Sequence, residues 1–183
     1  MAILTRAEFE SVAKAKSGTA TLKGVVNEVK SFSKSSAMTS IFFCHAHTEK
    51  NIVEQAKLFF ENLGIRIYVD WADKTMPEKT DAITAQIIKD QIINQNDKFV
   101  LLATNLAITS RWCNWEIGIA DPFKNSKKKM ALLPLADNNN LWTGNEYLQI
   151  YPRIEKSALD VGEYKVWYPD GSLESLNEWI KRA

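Results

Sequence analysis

A short run in the middle of the chain, Ser110-Arg111-Trp112-Cys113-Asn114-Trp115-Glu116, places a carboxylate one helical turn beyond a tryptophan. It follows the apolar run Phe99-Val100-Leu101-Leu102, which has the composition of a buried strand. An acid near the start of a helix that follows such a strand lies at the carboxyl edge of the sheet, where open α/β folds bind ligands. Four residues cover about 400° of helix, so Trp112 and Glu116 share a face. Trp115 is offset from Glu116 by about 100° and belongs either to a neighbouring wall or to the core. A glutamate framed by two indoles suits a flat substrate that is cationic or nucleotide-like.

A second group of chemically able residues follows the first apolar run. In Cys44-His45-Ala46-His47 the two histidines face one side and Cys44 the other. With no second ligand pair nearby, no metal site is expected there. His45 is placed to contact phosphate or ribose, and His47 shares its side. Asp70 and Trp71 open the loop after the second strand and complete the candidate binding set. The seven glycines form neither Gly-x-Gly-x-x-Gly nor a Walker-type loop, so no dinucleotide fingerprint and no P-loop is encoded. A phosphoacceptor receiver domain needs an acidic cluster after its first strand, and histidines stand there instead. Lys127-Lys128-Lys129 has the character of a solvated turn at a helix C-terminus.

The elements that must position these residues are legible as alternating strands and helices from Ser40 onward, the pattern of a parallel sheet covered on both faces. Strands are expected at Ile41–Cys44, Ile65–Val69, Phe99–Ala103 and Met130–Leu135. Ile52, Ala56, Phe59 and Leu63 mark one helix, stopped by Gly64; Ile83, Ile87, Ile88 and Ile92 mark another. The helix carrying Glu116 is expected to end at Asp121-Pro122. After Asp137 the chain turns irregular, with Asn138-Asn139-Asn140, Trp142-Thr143-Gly144-Asn145 and Tyr151-Pro152 predicting a long loop. A last strand at Tyr164–Tyr168, a turn at Pro169-Asp170-Gly171 and a final helix capped by Ser172 close the pattern. This is an α/β, flavodoxin-like architecture over residues 38–183. Residues 1–37 form a helical appendage, opened by the capping-box spacing Thr5-Arg6-Ala7-Glu8 and continued by Leu22, Val25, Val26 and Val29.

Bulk properties narrow the partners. The 23 basic and 22 acidic side chains nearly cancel, so nucleic acid and anionic membranes are not expected to attract the chain. No apolar run approaches the roughly 18 residues of a membrane span. The two cysteines, Cys44 and Cys113, lie in apolar settings without Cys-x-x-Cys spacing and predict reduced thiols in a cytoplasmic protein.

The order Ser40-Ile41-Phe42-Phe43-Cys44-His45-Ala46-His47, the loop from Asp70 to Thr80, and Ser110-x-Trp-Cys-x-x-Glu116 resembles a bacterial TIR (Toll/interleukin-1 receptor) domain. Leu148-x-x-Tyr151-Pro152 and Asp170-Gly171-Ser172-Leu173 with Trp179-Ile180 are similar as well. The resemblance spans about residues 38–183. Where many relatives have Pro-Gly in the loop after the second strand, this chain has Met76-Pro77-Glu78.

The resemblance implies NAD cleavage by a glutamate at the place of Glu116, with NAD as substrate and no resident cofactor. It implies self-association through TIR–TIR contacts, the Asp70–Thr80 loop covering the site and joining neighbours. A small stand-alone chain of this type is similar to the TIR subunits of Thoeris-type antiphage defence. Those make a cyclic ADP-ribose isomer or an ADP-ribose conjugate that a separate effector protein reads. The chemistry suits the residues: nicotinamide departs as a neutral base, so one carboxylate can suffice where an O-glycoside typically uses two. Glu116 would hold the ribose and stabilise its developing cation, with His45, His47, Asp70, Trp71, Trp112 and Trp115 around the substrate. The rival readings are a non-catalytic adaptor or virulence protein acting through TIR–TIR contacts, and a deoxyribosyltransferase-like enzyme using the glutamate as nucleophile.

Overall fold

The computed structural model describes residues 3–17, 38–77, 81–137, 142, 144, 146–157 and 163–182. Leu22, Val25, Val26 and Val29, the 37/38 boundary on its N-terminal side, Glu78 and the Asn138–Asn140 turn lie outside the described residues. In chain order the strands are Leu4–Thr5 (β1), Ser40–Cys44 (β2), Arg66–Tyr68 (β3), Lys98–Ala103 (β4), Met130–Ala136 (β5), Arg153–Lys156 (β6), Tyr164–Trp167 (β7) and Leu173–Ser175 (β8). The α-helices are Arg6–Ser17 (α1), Lys50–Glu61 (α2), Ala82–Asp90 (α3), Asn105–Thr109 (α4), Arg111–Ala120 (α5) and Leu176–Lys181 (α6).

Among the described residues all strands join one sheet, ordered β3-β2-β4-β5-β6-β7-β8, with β1 also paired to β5. From β3 to β6 the pairing is parallel, in the flavodoxin-like 2-1-3-4-5 order counted over the βα units. Every residue of β2, β4 and β5 is buried, which is why these strands are continuous apolar runs in the sequence. Their side chains sort by alternation. Ile41, Phe43, Val100, Leu102 and Leu133 face one core with Phe9, Phe59 and Trp179 of α1, α2 and α6. Phe42, Cys44, Phe99, Leu101 and Leu132 face the other with Ile88, Ile108, Cys113 and Ile117 of α3, α4 and α5.

Several expectations change. The stretch expected to be a loop contains a 3₁₀ turn, Glu146–Ile150, and then β6, which begins one residue past Pro152. β6, β7 and β8 run antiparallel and close that edge as a meander. Ser172 is not the cap of the last helix: Leu173–Ser175 is a strand with Leu173 exposed, and Ser175 forms a reciprocal capping box with Glu178. Pro122 does not end the helix of Glu116, because a π-helical turn, Asp121–Asn125, carries it on. Pro122 has no N–H to give to the preceding turn, and the helix changes to the wider π geometry at that point.

The N-terminal segment is built into the sheet. β1 pairs in parallel with Leu135 and Ala136 of β5, beyond the point where β6 meets the strand at Leu132. Pro134, which has no N–H to give, falls between them. The capping box at the start of α1 forms as expected, with Glu8 Oε2 accepting from Thr5 N at 3.1 Å and Thr5 Oγ1 accepting from Glu8 N at 3.2 Å. Phe9 is fully buried, its ring 5.5 Å from Phe59 in α2.

Candidate active site

Helix α5 is held at the carboxyl edge of the sheet by its cap, Ser110, whose Oγ accepts from Cys113 N at 3.3 Å. The helix buries Cys113, Glu116, Ile117 and Ala120, the i, i+3, i+4, i+7 stripe of an amphipathic helix. Glu116 therefore occupies a position where packing alone would select an apolar residue, and it is 3% exposed. Burial pushes its carboxyl well above the usual carboxylate range, with hydrogen bonds from the Cys44 thiol and the Trp112 indole opposing the shift and nearby Cys113 and Asp70 adding to it. Its protonated form is favoured, and the acid lies covered beneath the carboxyl edge of the sheet.

Above it lies a cavity of about 440 Å³, within the size range of small-molecule sites. His45, His47, Asp70, Trp71, Ser110 and Trp112 line it, together with residues of the loop after β3 and Thr84 and Ile88 of α3. Glu116 is not on its surface. The half-buried Trp112 is, so this indole stands between the cavity and the acid.

The histidine loop is fixed from three sides. His45 Nδ1 donates to Phe43 O at 2.9 Å, which leaves Nε2 as the basic atom. Burial lowers the affinity of this imidazole for a second proton, so it is neutral. Cys113 Sγ donates to His45 O at 3.2 Å and ties the loop to α5. His47 is parallel to His45, the ring planes 3° apart and the centroids separated by 6.1 Å. Behind the loop, the buried Glu49 is held between Arg6 at the start of α1 and Thr104 at the end of β4, both of which hydrogen-bond its carboxylate.

The expected residues separate into two sets. The fold brings His45, His47, Asp70, Trp71 and Trp112 to one cavity, with Glu116 under its floor. Trp115 is neither cavity wall nor core: it is 37% exposed and packs on Trp112 at 4.9 Å between ring centroids. Sequence reasoning missed the contact of Cys44 with Glu116, although strand alternation had already turned Cys44 away from the histidines and toward α5. It missed Tyr68, whose hydroxyl donates to Asp73 Oδ2 at 2.8 Å and whose ionisation burial pushes strongly upward. It missed the Arg6–Glu49–Thr104 clasp, whose members are far apart in sequence and carry no motif. Lys128 lies over the Tyr168 ring at 4.7 Å, in the turn that enters β5 at the other edge of the sheet from the cavity.

A family model described as the TIR domain matches residues 41–155, which include both ends of the cavity. The chain is also similar to a protein of Bacillus cereus (strain MSX-D12) named "Probable 3' cyclic ADP-D-ribose synthase ThsB'". The two are 26% identical over 149 residues, covering 78% of this chain and 75% of that protein.

Proposed function

Since the chain belongs to the TIR domain family, we propose that it cleaves NAD at the bond between ribose and nicotinamide and converts the ADP-ribosyl group into a nucleotide signal. The observation that carries this reading is a carboxyl group buried at the carboxyl edge of a parallel sheet, under a cavity walled by an indole and an imidazole. The printed name of the Bacillus cereus relative, a cyclic ADP-ribose synthase, supports the same chemistry and favours a cyclised product.

The residues act as follows in this proposal. Trp112 yields its place over Glu116 to the nicotinamide ribose and stacks on the substrate. The pyridinium of NAD brings a positive charge beside Glu116, which draws the acid's proton affinity down, and its proton passes to solvent as the substrate enters. As the C1′–N bond breaks, the bonding pair leaves with nicotinamide, and the ribosyl cation forms against the carboxylate. His45 and Asp70 hold polar groups of the substrate, and Trp71 covers it. An adenine nitrogen, an amine or water then donates a lone pair to C1′. In a cell the product reaches a separate effector, as the antiphage systems similar to this chain would have it.

The test is incubation of purified protein with NAD, alone and with lysate of phage-infected cells, followed by mass spectrometry beside Glu116→Gln. Nicotinamide release that falls by at least about 10²–10³-fold in the variant supports the assignment. The mass of the second product separates cyclase, hydrolase and transferase. Equal release by both proteins removes Glu116 from the mechanism, and no release under either condition favours an adaptor acting through TIR–TIR contacts.

A further inference from the structure

Two histidines two residues apart and a carboxylate from the loop after β3 bring their ligand atoms together on the cavity wall. His45 Nε2 lies 3.6 Å from Asp70 Oδ1, and His47 Nδ1 lies 3.8 Å from Asp70 Oδ2. One donor atom from each residue lies within 4.8 Å of the other two. Both separations to Asp70 are too long for hydrogen bonds. Among the described residues His45 Nε2 has no hydrogen-bond partner, although its side chain is only 2% exposed. A buried, unpartnered, basic nitrogen aimed at a carboxylate across a gap calls for something that accepts both lone pairs.

A divalent cation has that character. Nitrogen and oxygen ligands about 2.0–2.1 Å from a tetrahedral ion stand roughly 3.3–3.4 Å from one another. Each His–Asp separation, measured to a different oxygen of the carboxylate, exceeds this by about half an ångström or less. Closing the third edge needs movement of His47, whose side chain is 67% exposed and has room to turn. Outer partners of the kind that orient metal ligands are in place: His45 Nδ1 donates to Phe43 O, and Asp70 Oδ1 accepts from Trp71 N at 2.8 Å.

We propose that His45, His47 and Asp70 form a site for a divalent transition metal ion, Zn²⁺ being the class that two imidazoles and one carboxylate select. All three ligands line the cavity, so the remaining coordination position opens into it and would take an anionic oxygen, such as that of a phosphate or diphosphate. The site is argued from geometry alone, and with an ion bound His45 and Asp70 reach the substrate through it instead of directly. Sequence spacing could not reveal it, because the third ligand comes from the loop after the neighbouring strand.

The experiment is to strip the full chain with a chelator, add Zn²⁺ or Co²⁺, and measure stoichiometry by mass spectrometry of the metal and by the visible absorption of bound Co²⁺. One ion per chain is expected, with the intense bands of a low-coordinate Co²⁺ site. His47→Ala and Asp70→Asn should weaken binding by more than the roughly 10–100-fold that loss of an outer partner costs. His47 is exposed, so His47→Ala retains the fold, which its melting curve verifies. Glu116→Gln should keep the ion while losing turnover, which separates this site from the catalytic assignment. Absence of stoichiometric binding to the parent protein, or equal affinity in His47→Ala and Asp70→Asn, overturns the site even if NAD is cleaved.

Discussion

In the proposed reaction Glu116 sets function against stability at a single position. Its carboxyl keeps a proton in the folded chain far above the pH at which it loses one when unfolded. Such a group contributes stability that is fully present below the unfolded pKa of about 4.3 and is lost as pH rises toward the folded value. Glu116→Gln removes that loss. The variant is expected to melt higher than the parent at pH 7–8, with the difference vanishing near pH 4, as thermal unfolding across pH would record. The same shift shapes the rate. If the carboxylate form works, kcat/KM rises with pH through the elevated pKa of the free protein, and kcat rises at lower pH because bound pyridinium favours the anion. A flat profile would contradict this role. The candidacy of Glu116 was visible in the Trp-x-x-x-Glu spacing, which needs only the helix repeat. Its burial was not, because the stripe Cys113, Glu116, Ile117, Ala120 is recognisable only once α5 is seen lying on β2 and β4.

At the scale of elements, the βα units were legible and the edge was not. β2, β4 and β5 are apolar runs because both of their faces are covered, and such runs stand out in any sequence. β6 and β8 are short and only partly buried, and each lies beside turn residues, so their pairing comes from neighbours rather than from local pattern. Three substitutions test the caps and clasps that fix these elements. Ser175→Ala should cost about 1 kcal/mol in urea unfolding and Ser172→Ala clearly less, since only Ser175 accepts the helix N–H. Thr104→Val removes the cap of α4 and one partner of the buried Glu49 together. It should destabilise by about 1–3 kcal/mol. It should also loosen the loop that carries His45 and His47, read as faster hydrogen exchange there.

For the whole molecule, the N-terminal residues matter more than the term appendage suggests. Deleting residues 3–17 strips β1 from β5, empties the place of Phe9 beside Phe59 and frees Glu49 from Arg6. Loss of the Phe9 side chain alone is worth about 3–5 kcal/mol. The truncated chain is expected to unfold at markedly lower urea and to lose turnover with it; a truncation as stable and as active as the parent would show that this segment is dispensable. Nothing local in Leu4-Thr5 announces a strand, because two residues carry no periodicity and the pairing partner lies over a hundred residues away. The opposite end of the described chain is anchored elsewhere. Arg182 O accepts from the buried Lys98 Nζ at 2.7 Å, at the start of β4, whereas Leu4 and Thr5 meet the finish of β5. Leu4 and Thr5 thus anchor at the carboxyl rim of the sheet, on which the cavity also opens, and Arg182 at the amino rim. A dye or partner protein grafted near Arg182 would therefore stand at the rim away from the cavity and ride along silently.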